Sequence, residues 1–588
     1  MKYPKLTPPA AQRQYIETFG GYNQNPRIGD GEFAHMENMT SQAFPVLSPR
    51  PPRGYYVRSA DPEAMLYKEE VFYISSGCVY HKDGLVDWAL KRYPQGRAMV
   101  SMGAYVVILP EKIWFNSARY IEGNGTVDKD KRFGSCEAAF RLKEESVQIS
   151  PCRADGTVYD GSVTKGDIPP EEPQPGDLWI DTSGAAPAPK QWSQDSWQEI
   201  LTSYVRIDAH GIGEDFAQYD GVEVSGLTAE TLSGLNGSNV IWAKGDDYIV
   251  LRGFLAEPVT QAVTMTVSRT MPEMDFVIEC GNRLWGCRYG ENAQGKFVNQ
   301  IYCSKLGDLT NWNSFMGIST DSAVINLGSD GPFTGAVSYM GHPIFFKENV
   351  LHKVYISPTG AHSVVETPCA GVQEGCGKSL AVVGNTLYYK SRSGIMVYDG
   401  SQPVALPPVF GSAQYDSAVA GAFRDRYYVS MRRADDTHHL FVYDTQKGLW
   451  HREDDLQVQE FAAGRDKLYA ISGSDILILA GADEPTEGPV SWLVRTGPMG
   501  IRTPDRQYLS RLNVRISLEQ GAEASFYVQY DFSPRWEHLC TVTSGDLRSF
   551  EVPIRPKRCD YMRLEIRGRG DGRIYSFAKT LEQGSDAS

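Results

Sequence analysis

The chain has 588 residues, a formal net charge of −14 and a hydrophobic content of 41%. Its length allows roughly two to four domains with a large core. The acidic balance, without any long run of lysine and arginine, argues against a protein that reads duplex DNA. No stretch of about 18 apolar residues occurs, so we expect no transmembrane helix. The N-terminal residues also lack the apolar segment of a secretory signal.

Residues 1–60 are rich in proline, glycine and turn-forming residues, which predicts an extended N-terminal arm instead of a sheet. The arm ends in a Pro/Arg run that contains Arg50 and Arg53. Two interpretations stay open for this segment. It either lies along the surface of a neighbouring molecule or wraps around its own chain.

A two-strand unit then recurs along the chain. Each copy has a run of aliphatic and aromatic residues, a few polar residues, and an aliphatic residue followed by an apolar or tyrosine residue. The last four copies start at residues 344, 387, 427 and 468. A repeat of about 40 to 45 residues made of short strands is typical of propeller blades. We predict blades one and two within residues 61–118 and blades three to seven within residues 273–485.

The second and third copies are too far apart for one blade. Val106 and Leu284 occupy equivalent positions, and their separation leaves about 140 residues beyond a normal repeat. We interpret residues 119–272 as an inserted β domain. It contains a Trp-rich loop module at about 170–200, and residues 201–272 alternate apolar and polar residues as a small antiparallel sandwich or barrel does.

Residues 490–588 contain several alternating strands separated by Asp and Gly turns, which favours a C-terminal β-sandwich of jelly-roll type. The predicted fold class is therefore all-β: a propeller of about seven blades, an inserted β domain and a C-terminal jelly-roll-like β-sandwich.

The sequence offers no motif for catalysis. It has no phosphate-binding loop and no HExxH zinc motif. His438 and His439 are adjacent, and neighbours on a strand point to opposite faces, so they rarely bind one metal ion together. Ser393 lies in a predicted hairpin turn instead of a strand-to-helix nucleophile elbow. We therefore predict no catalytic residue, no metal, no cofactor and no enzymatic activity.

Three stretches carry a resemblance to a known family: Glu37–Thr40 with the Pro/Arg run after it, Asn282–Trp285 with Gln300–Ser304, and Pro175–Trp179 with Trp197. Together they resemble bacteriophage and prophage virion proteins of the propeller class, similar to tail nozzle and packaged-DNA stabilisation proteins. The resemblance implies a non-enzymatic, ring-forming structural subunit of a tail, neck or nozzle. It brings no catalytic residues with it.

From this resemblance we expect a homo-oligomer that contacts other virion proteins such as an adaptor, portal or tail fibre, and that meets DNA only as it passes. The expected location is the virion, after synthesis in the bacterial cytoplasm, with no membrane insertion. The residues expected to make contacts are Arg50, Arg53, Trp179, Trp192 and Trp197. The alternative is a tail-tip adhesin that binds a glycan on the host cell surface, and the third reading is a propeller glycosidase, which would need a pair of carboxylates.

Overall fold

The computed structural model describes residues 11–58, 61–81, 84–85, 96–121, 133–159, 163–292, 294–500, 507–531 and 533–583. Residues 1–10 of the predicted arm and residues 122–132 of the predicted insert lie outside this part of the chain. Across the described residues the protein is all-β, and its α-helix is the short segment Ala118–Ile121. None of its described helices is long and apolar enough to cross a bilayer.

The N-terminal segment contains six short strands instead of a free arm. They are β1 Ala11–Ile16, β2 Gly21–Tyr22, β3 Glu32–Glu37, β4 Met39–Thr40, β5 Ser48–Pro49 and β6 Gly54–Val57. Phe33 and Met36 in β3 are buried, which gives this segment an apolar face that needs a partner.

Two four-stranded antiparallel sheets come next. Sheet one contains β7 Pro62–Lys68, β8 Glu70–Ser75, β9 Cys78–His81 and β10 Gly84–Leu85. Sheet two contains β11 Ala98–Met102, β12 Tyr105–Leu109, β13 Ile113–Asn116 and β14 Phe133–Ser135. The hairpin between β11 and β12 turns within two residues, and Gly103 there has a φ of 54°, a left-handed conformation that glycine adopts without strain.

The segment between sheets two and three forms a closed six-stranded barrel and a separate small sheet. The barrel strands are β15 Ala138–Cys152, β20 Tyr204–Asp208, β21 Gly221–Ser225, β22 Gly237–Lys244, β23 Tyr248–Arg252 and β24 Val259–Arg269. The small sheet contains β16 Val163–Gly166, β17 Leu178–Asp181, β18 Ala188–Ser193 and β19 Ser196–Glu199. Ala138 pairs with Arg269, so the chain enters and leaves the barrel at adjacent points.

Five more four-stranded antiparallel sheets follow the barrel. Sheet three contains β25 Phe276–Glu279, β26 Leu284–Glu291, β27 Phe297–Cys303 and β28 Ala323–Asn326. Sheet four contains β29 Gly335–Tyr339, β30 His342–Lys347, β31 Val350–Tyr355 and β32 Ser363–Pro368. Sheet five contains β33 Ala381–Val383, β34 Thr386–Ser391, β35 Gly394–Tyr398 and β36 Val404–Ala405.

Sheet six contains β37 Tyr415–Phe423, β38 Arg426–Arg433, β39 His438–Asp444 and β40 Leu449–Arg452. Sheet seven contains β41 Glu460–Ala463, β42 Leu468–Ser472 and β43 Asp475–Ala480, and its fourth strand is the N-terminal β6. β6 pairs with β43 through Val57 and Ile476, so a strand from the start of the chain completes the last sheet.

Apolar clusters fill the spaces between consecutive sheets. Phe72 of sheet one packs with Phe115 of sheet two, and Tyr73 of sheet one shares a cluster with Tyr469 of sheet seven. Burying each such side chain stabilises the fold by roughly 1.5–3 kcal/mol. The first strands of sheets one and seven, β7 and β41, also contact each other, so the last sheet lies beside the first.

The C-terminal strands β44 Ser491–Thr496, β45 Gln507–Tyr530, β46 Glu537–Val552, β47 Met562–Arg569 and β48 Gly572–Gln583 form an eight-stranded sheet together with β1, β2 and β3. β1 pairs with β48, and β3 pairs with β44. The segment predicted as an arm is thus shared between this sheet and sheet seven. The all-β class, with the short four-stranded sheets of a propeller, is confirmed.

Candidate functional site

A cavity of about 840 Å³ lies where turns of sheets four, five and six meet. Glu348 follows β30, Arg392 and Ser393 follow β34, and Ala434 follows β38, so the turns between second and third strands all reach it. We call it the turn cavity. Its polar and aromatic lining consists of Glu348, Gln373, Glu374, Lys390, Arg392, Ser393, Phe410, Gln414, Tyr415, Asp416, Arg432 and Trp450.

Two ion pairs stand at the rim of the turn cavity. The Arg392 guanidinium contacts both carboxylate oxygens of Glu348, with Nη2 at 2.8 Å from Oε2 and Nε at 2.9 Å from Oε1. Arg432 Nε donates to Asp416 Oδ1 at 3.1 Å. These side chains are partly exposed, so the pairs orient the charged groups more than they stabilise the fold.

Lys390 is the buried cation of the turn cavity. Only 5% of the residue is exposed. Its Nζ donates to Gln373 Oε1 at 2.7 Å and to the Ser391 carbonyl oxygen at 2.5 Å. Burial lowers the pKa of the Lys390 ammonium, and electrostatic interactions with Cys376 and Asp416 partly oppose that shift. No carboxylate lies within ion-pair distance of it among the described residues.

Aromatic side chains form the wall beneath these polar groups. Phe410 packs edge-on against Trp450 at 5.2 Å between ring centroids and against Tyr415 at 5.8 Å. The Tyr415 hydroxyl hydrogen-bonds His439 Nδ1 at 2.9 Å. Burial raises the pKa of Tyr415 to about 12 and lowers the pKa of His439 to about 4, so both are neutral at pH 7.

The N-terminal segment supports the loop that carries Phe410. The backbone N–H of Gln24 donates to the Val409 carbonyl oxygen at 2.7 Å. The side-chain Nδ2 of Asn25 donates to the Pro408 carbonyl oxygen at 2.7 Å. A second cavity of about 480 Å³ adjoins the first and shares Tyr415 with it. The two cavities together run along the end of sheet six.

The predicted contact residues lie elsewhere. Arg50 and Arg53 are buried, with 5% and 8% of each residue exposed. Arg53 pairs with Glu453 and Asp454 at 2.6 Å each, and Arg50 pairs with Glu487 at 2.7 Å. Both arginines therefore hold the N-terminal segment against sheets six and seven and are covered by their own chain.

The three predicted tryptophans belong to the small sheet of the insert. Trp197 packs against Trp179 at 5.6 Å and against Trp192 at 5.4 Å between ring centroids. Trp179 is buried and donates from Nε1 to the Gly166 carbonyl oxygen at 3.0 Å. Lys190 lies over its ring. None of the three lines the turn cavity.

Sequence reasoning did not identify Lys390, Gln373 or Asp416, because no motif joins them. A signal was nevertheless present in the repeats. A charged residue follows the second strand in two consecutive copies, at Glu348 and Arg392, and the third copy has Arg432 near the end of that strand. Equivalent turns of neighbouring repeats lie at one end of the sheets, so their side chains meet.

The described residues contain no group of three or more His, Cys, Asp or Glu side chains that are placed to hold a metal ion. None of the ten cysteines forms a disulfide bond, and seven of them are buried. Burial raises the pKa of Cys136 and of Cys152 to about 12, so these thiols are poor nucleophiles.

No family model matches the chain, and no curated protein matches it. Among solved structures, Sqt1 of Saccharomyces cerevisiae aligns at 10% identity over 76% of this chain and 100% of its own, with a TM-score of 0.31. An exo-β-1,3-galactanase from Phanerochaete chrysosporium aligns at 9% identity over 52% of this chain and 94% of its own, with a TM-score of 0.22.

A glycoside hydrolase family 43 arabinoxylan arabinofuranohydrolase from Bacillus subtilis aligns at 10% identity over 51% of this chain and 94% of its own, with a TM-score of 0.19. Values this low assign no activity to the chain.

The prediction of a ring-forming virion subunit for DNA passage is wrong. The three solved structures reported above are two glycosidases and Sqt1, and none of the three is a phage protein. Arg50 and Arg53, two of the expected contact residues, are covered by their own chain. The expected self-association, partners and location stay predictions.

Proposed function

We propose that this chain is a saccharide-binding protein whose site is the turn cavity. One observation carries the proposal: the lining of a single cavity of about 840 Å³ combines carboxylates, side-chain amides, a lysine and two arginines. Each sugar hydroxyl both donates and accepts hydrogen bonds, so it is suited to a lining that mixes carboxylates, amides and guanidinium groups. The volume falls in the range of about 300–1,000 Å³ that is usual for small-ligand sites.

We propose further that the seven four-stranded sheets are the blades of a seven-bladed propeller. The pairing of β6 with β43 and the shared cluster of sheets one and seven support closure of the ring. We also propose that the C-terminal sheet is jelly-roll-like. The 24-residue strand β45 pairs with β46, β47 and β48 along its length, as in a sheet that folds back on itself.

A glycan array with the full chain tests the proposed function. We expect a defined set of oligosaccharides to be retained. Ala434→Trp, which places a large side chain on both adjoining cavities, is expected to reduce retention at least about tenfold. Ala185→Trp, at an exposed turn of the small sheet, is the matched control and should bind like the unaltered chain. An empty array, or equal retention by Ala434→Trp, contradicts the proposal.

Hydrolysis of a glycosidic bond is a second candidate, favoured by three carboxylates on one cavity. Glu348 and Asp416 are each held by an arginine, whereas Glu374 makes no ion pair among the described residues. A glycosidase needs two carboxyl groups with different roles at the scissile bond.

Release of reducing ends from an array-selected oligosaccharide measures this activity. We expect Glu374→Gln to lower it at least about a hundredfold, the usual contribution of a general acid, while retention on the array persists. If no reducing ends appear, the chain binds without cleaving.

A further inference from the structure

Among the described residues, no carboxylate forms an ion pair with the Lys390 ammonium group. An ammonium group has three N–H donors, and the two oxygens it contacts are the neutral amide of Gln373 and the carbonyl of Ser391. Nineteen-twentieths of the residue is buried, since its exposed fraction is 5%. A buried cation with neutral partners alone is costly unless a counter-ion reaches it.

Two of the three acids that share the cavity are paired with arginines. Glu348 is held at both oxygens by Arg392, and Asp416 is held by Arg432. Glu374 is exposed and forms no ion pair with Lys390. The one cation in the wall of the cavity without an acidic partner is therefore Lys390, within the described part of the chain.

A second buried lysine, Lys347, shows how the fold alone can stabilise a buried ammonium group. Lys347 Nζ also contacts neutral oxygens, of Asn299 at 2.9 Å and Ser329 at 2.8 Å. Its charge lies over the rings of Tyr289 and Phe333, at 4.9 and 4.8 Å. Aromatic faces of this kind stabilise a desolvated cation. Among the described residues no aromatic ring lies over Lys390, which instead lines the turn cavity.

From this geometry we propose that the ligand of the turn cavity is an acidic saccharide, and that its carboxylate pairs with Lys390. The inference rests on the proposed function and names the chemical class of its ligand. Gln373 and Ser391 fix the ammonium group, which leaves its third donor for a ligand carboxylate. A charge-assisted hydrogen bond in a desolvated site is stronger than a bond between neutral groups.

Titration calorimetry with the full chain tests the inference. The probes are galacturonate, glucuronate and sialylated oligosaccharides, each paired with its carboxyl-reduced form. We expect at least one acidic probe to bind about tenfold or more tightly than its reduced form. Lys390→Met should abolish that preference, and Lys390→Arg should retain part of it. Lys347→Met is the control matched for burial and charge, and it should keep the preference. Thermal unfolding checks that each variant is folded.

The results distinguish saccharide binding at the turn cavity from a preference for acidic saccharides. Equal binding of acidic and reduced probes, or a preference that survives Lys390→Met, overturns the inference and leaves saccharide binding intact. Binding of neutral array glycans alone also overturns it. If neither the probes nor the array glycans bind, the proposed function fails, and the inference fails with it.

Discussion

Arg50 and Arg53 show how a residue's surroundings decide its role. In the sequence they lie in a Pro/Arg run, and we predicted that they contact other molecules. In the fold they meet Glu453, Asp454 and Glu487 and anchor the N-terminal segment. Removing one partner of such a buried pair costs about 3–5 kcal/mol. These arginines therefore serve stability, while the less conspicuous Lys390 faces the cavity.

The buried His451 makes the free energy of unfolding depend on pH. Burial lowers the pKa of His451 to about 3, with Arg426 acting in the same direction. As the pH falls below 6.5, the unfolded chain takes up a proton that the folded chain does not. His451 therefore lowers the free energy of unfolding by about 1.4 kcal/mol per pH unit until the pH reaches its folded pKa.

We predict that His451→Gln reduces the mean slope of stability against pH between 6.5 and 5 by about 1 kcal/mol per unit, because the unfolded histidine is only half protonated at pH 6.5. Urea unfolding at several pH values measures the slope, so a uniform loss of stability does not affect the result. The control is His210→Gln, since the His210 side chain is 95% exposed. An unchanged slope in His451→Gln would show that His451 titrates normally in the fold.

Among the elements, the repeating strands were predictable and the pairing of the N-terminal strands was not. Aromatic and aliphatic residues recur about every 40 positions, and they pack between sheets, as Tyr73 and Tyr469 do. β6 is four residues long, and its partner β43 lies more than 400 residues later. Local sequence carries no signal for a pairing at that distance, since the strand fits any open edge.

The turn cavity escaped prediction for a related reason. Its side chains come from three sheets and the loops between them, and each residue alone looks like an ordinary turn residue. What brings them together is the stacking of neighbouring sheets, which the repeat implies only in outline. The burial of Lys390 depends on Gln373 and Ser391, and no spacing rule connects the first of these to the lysine.

The inserted barrel can be removed to test whether it takes part in glycan binding. Ala138 and Arg269 are paired neighbours, so a short Gly/Ser linker can replace residues 138–269. We expect the shortened chain to fold and to retain array glycans within about threefold of the full chain, because the turn cavity lies on sheets four to six. Circular dichroism and the array measure the two results. Loss of binding in a folded, shortened chain would assign a binding role to the insert.

In the whole molecule, the N-terminal segment links the C-terminal sheet to the four-stranded sheets. β1 and β3 lie in the C-terminal sheet, β6 completes sheet seven, and the loop around Gln24 supports the wall of the turn cavity. The N-terminal segment thus connects the C-terminal sheet with the candidate site. If the turn cavity binds a saccharide as proposed, this support lowers the cost of ordering the site.

The most direct test of saccharide binding at the turn cavity is an experimental structure of the full chain with the glycan that the array retains best. We expect glycan density in the turn cavity, with a sugar group in hydrogen-bonding distance of Gln373, Gln414 or Lys390. Density on the tryptophans of the small sheet, with the turn cavity free of glycan, would contradict it.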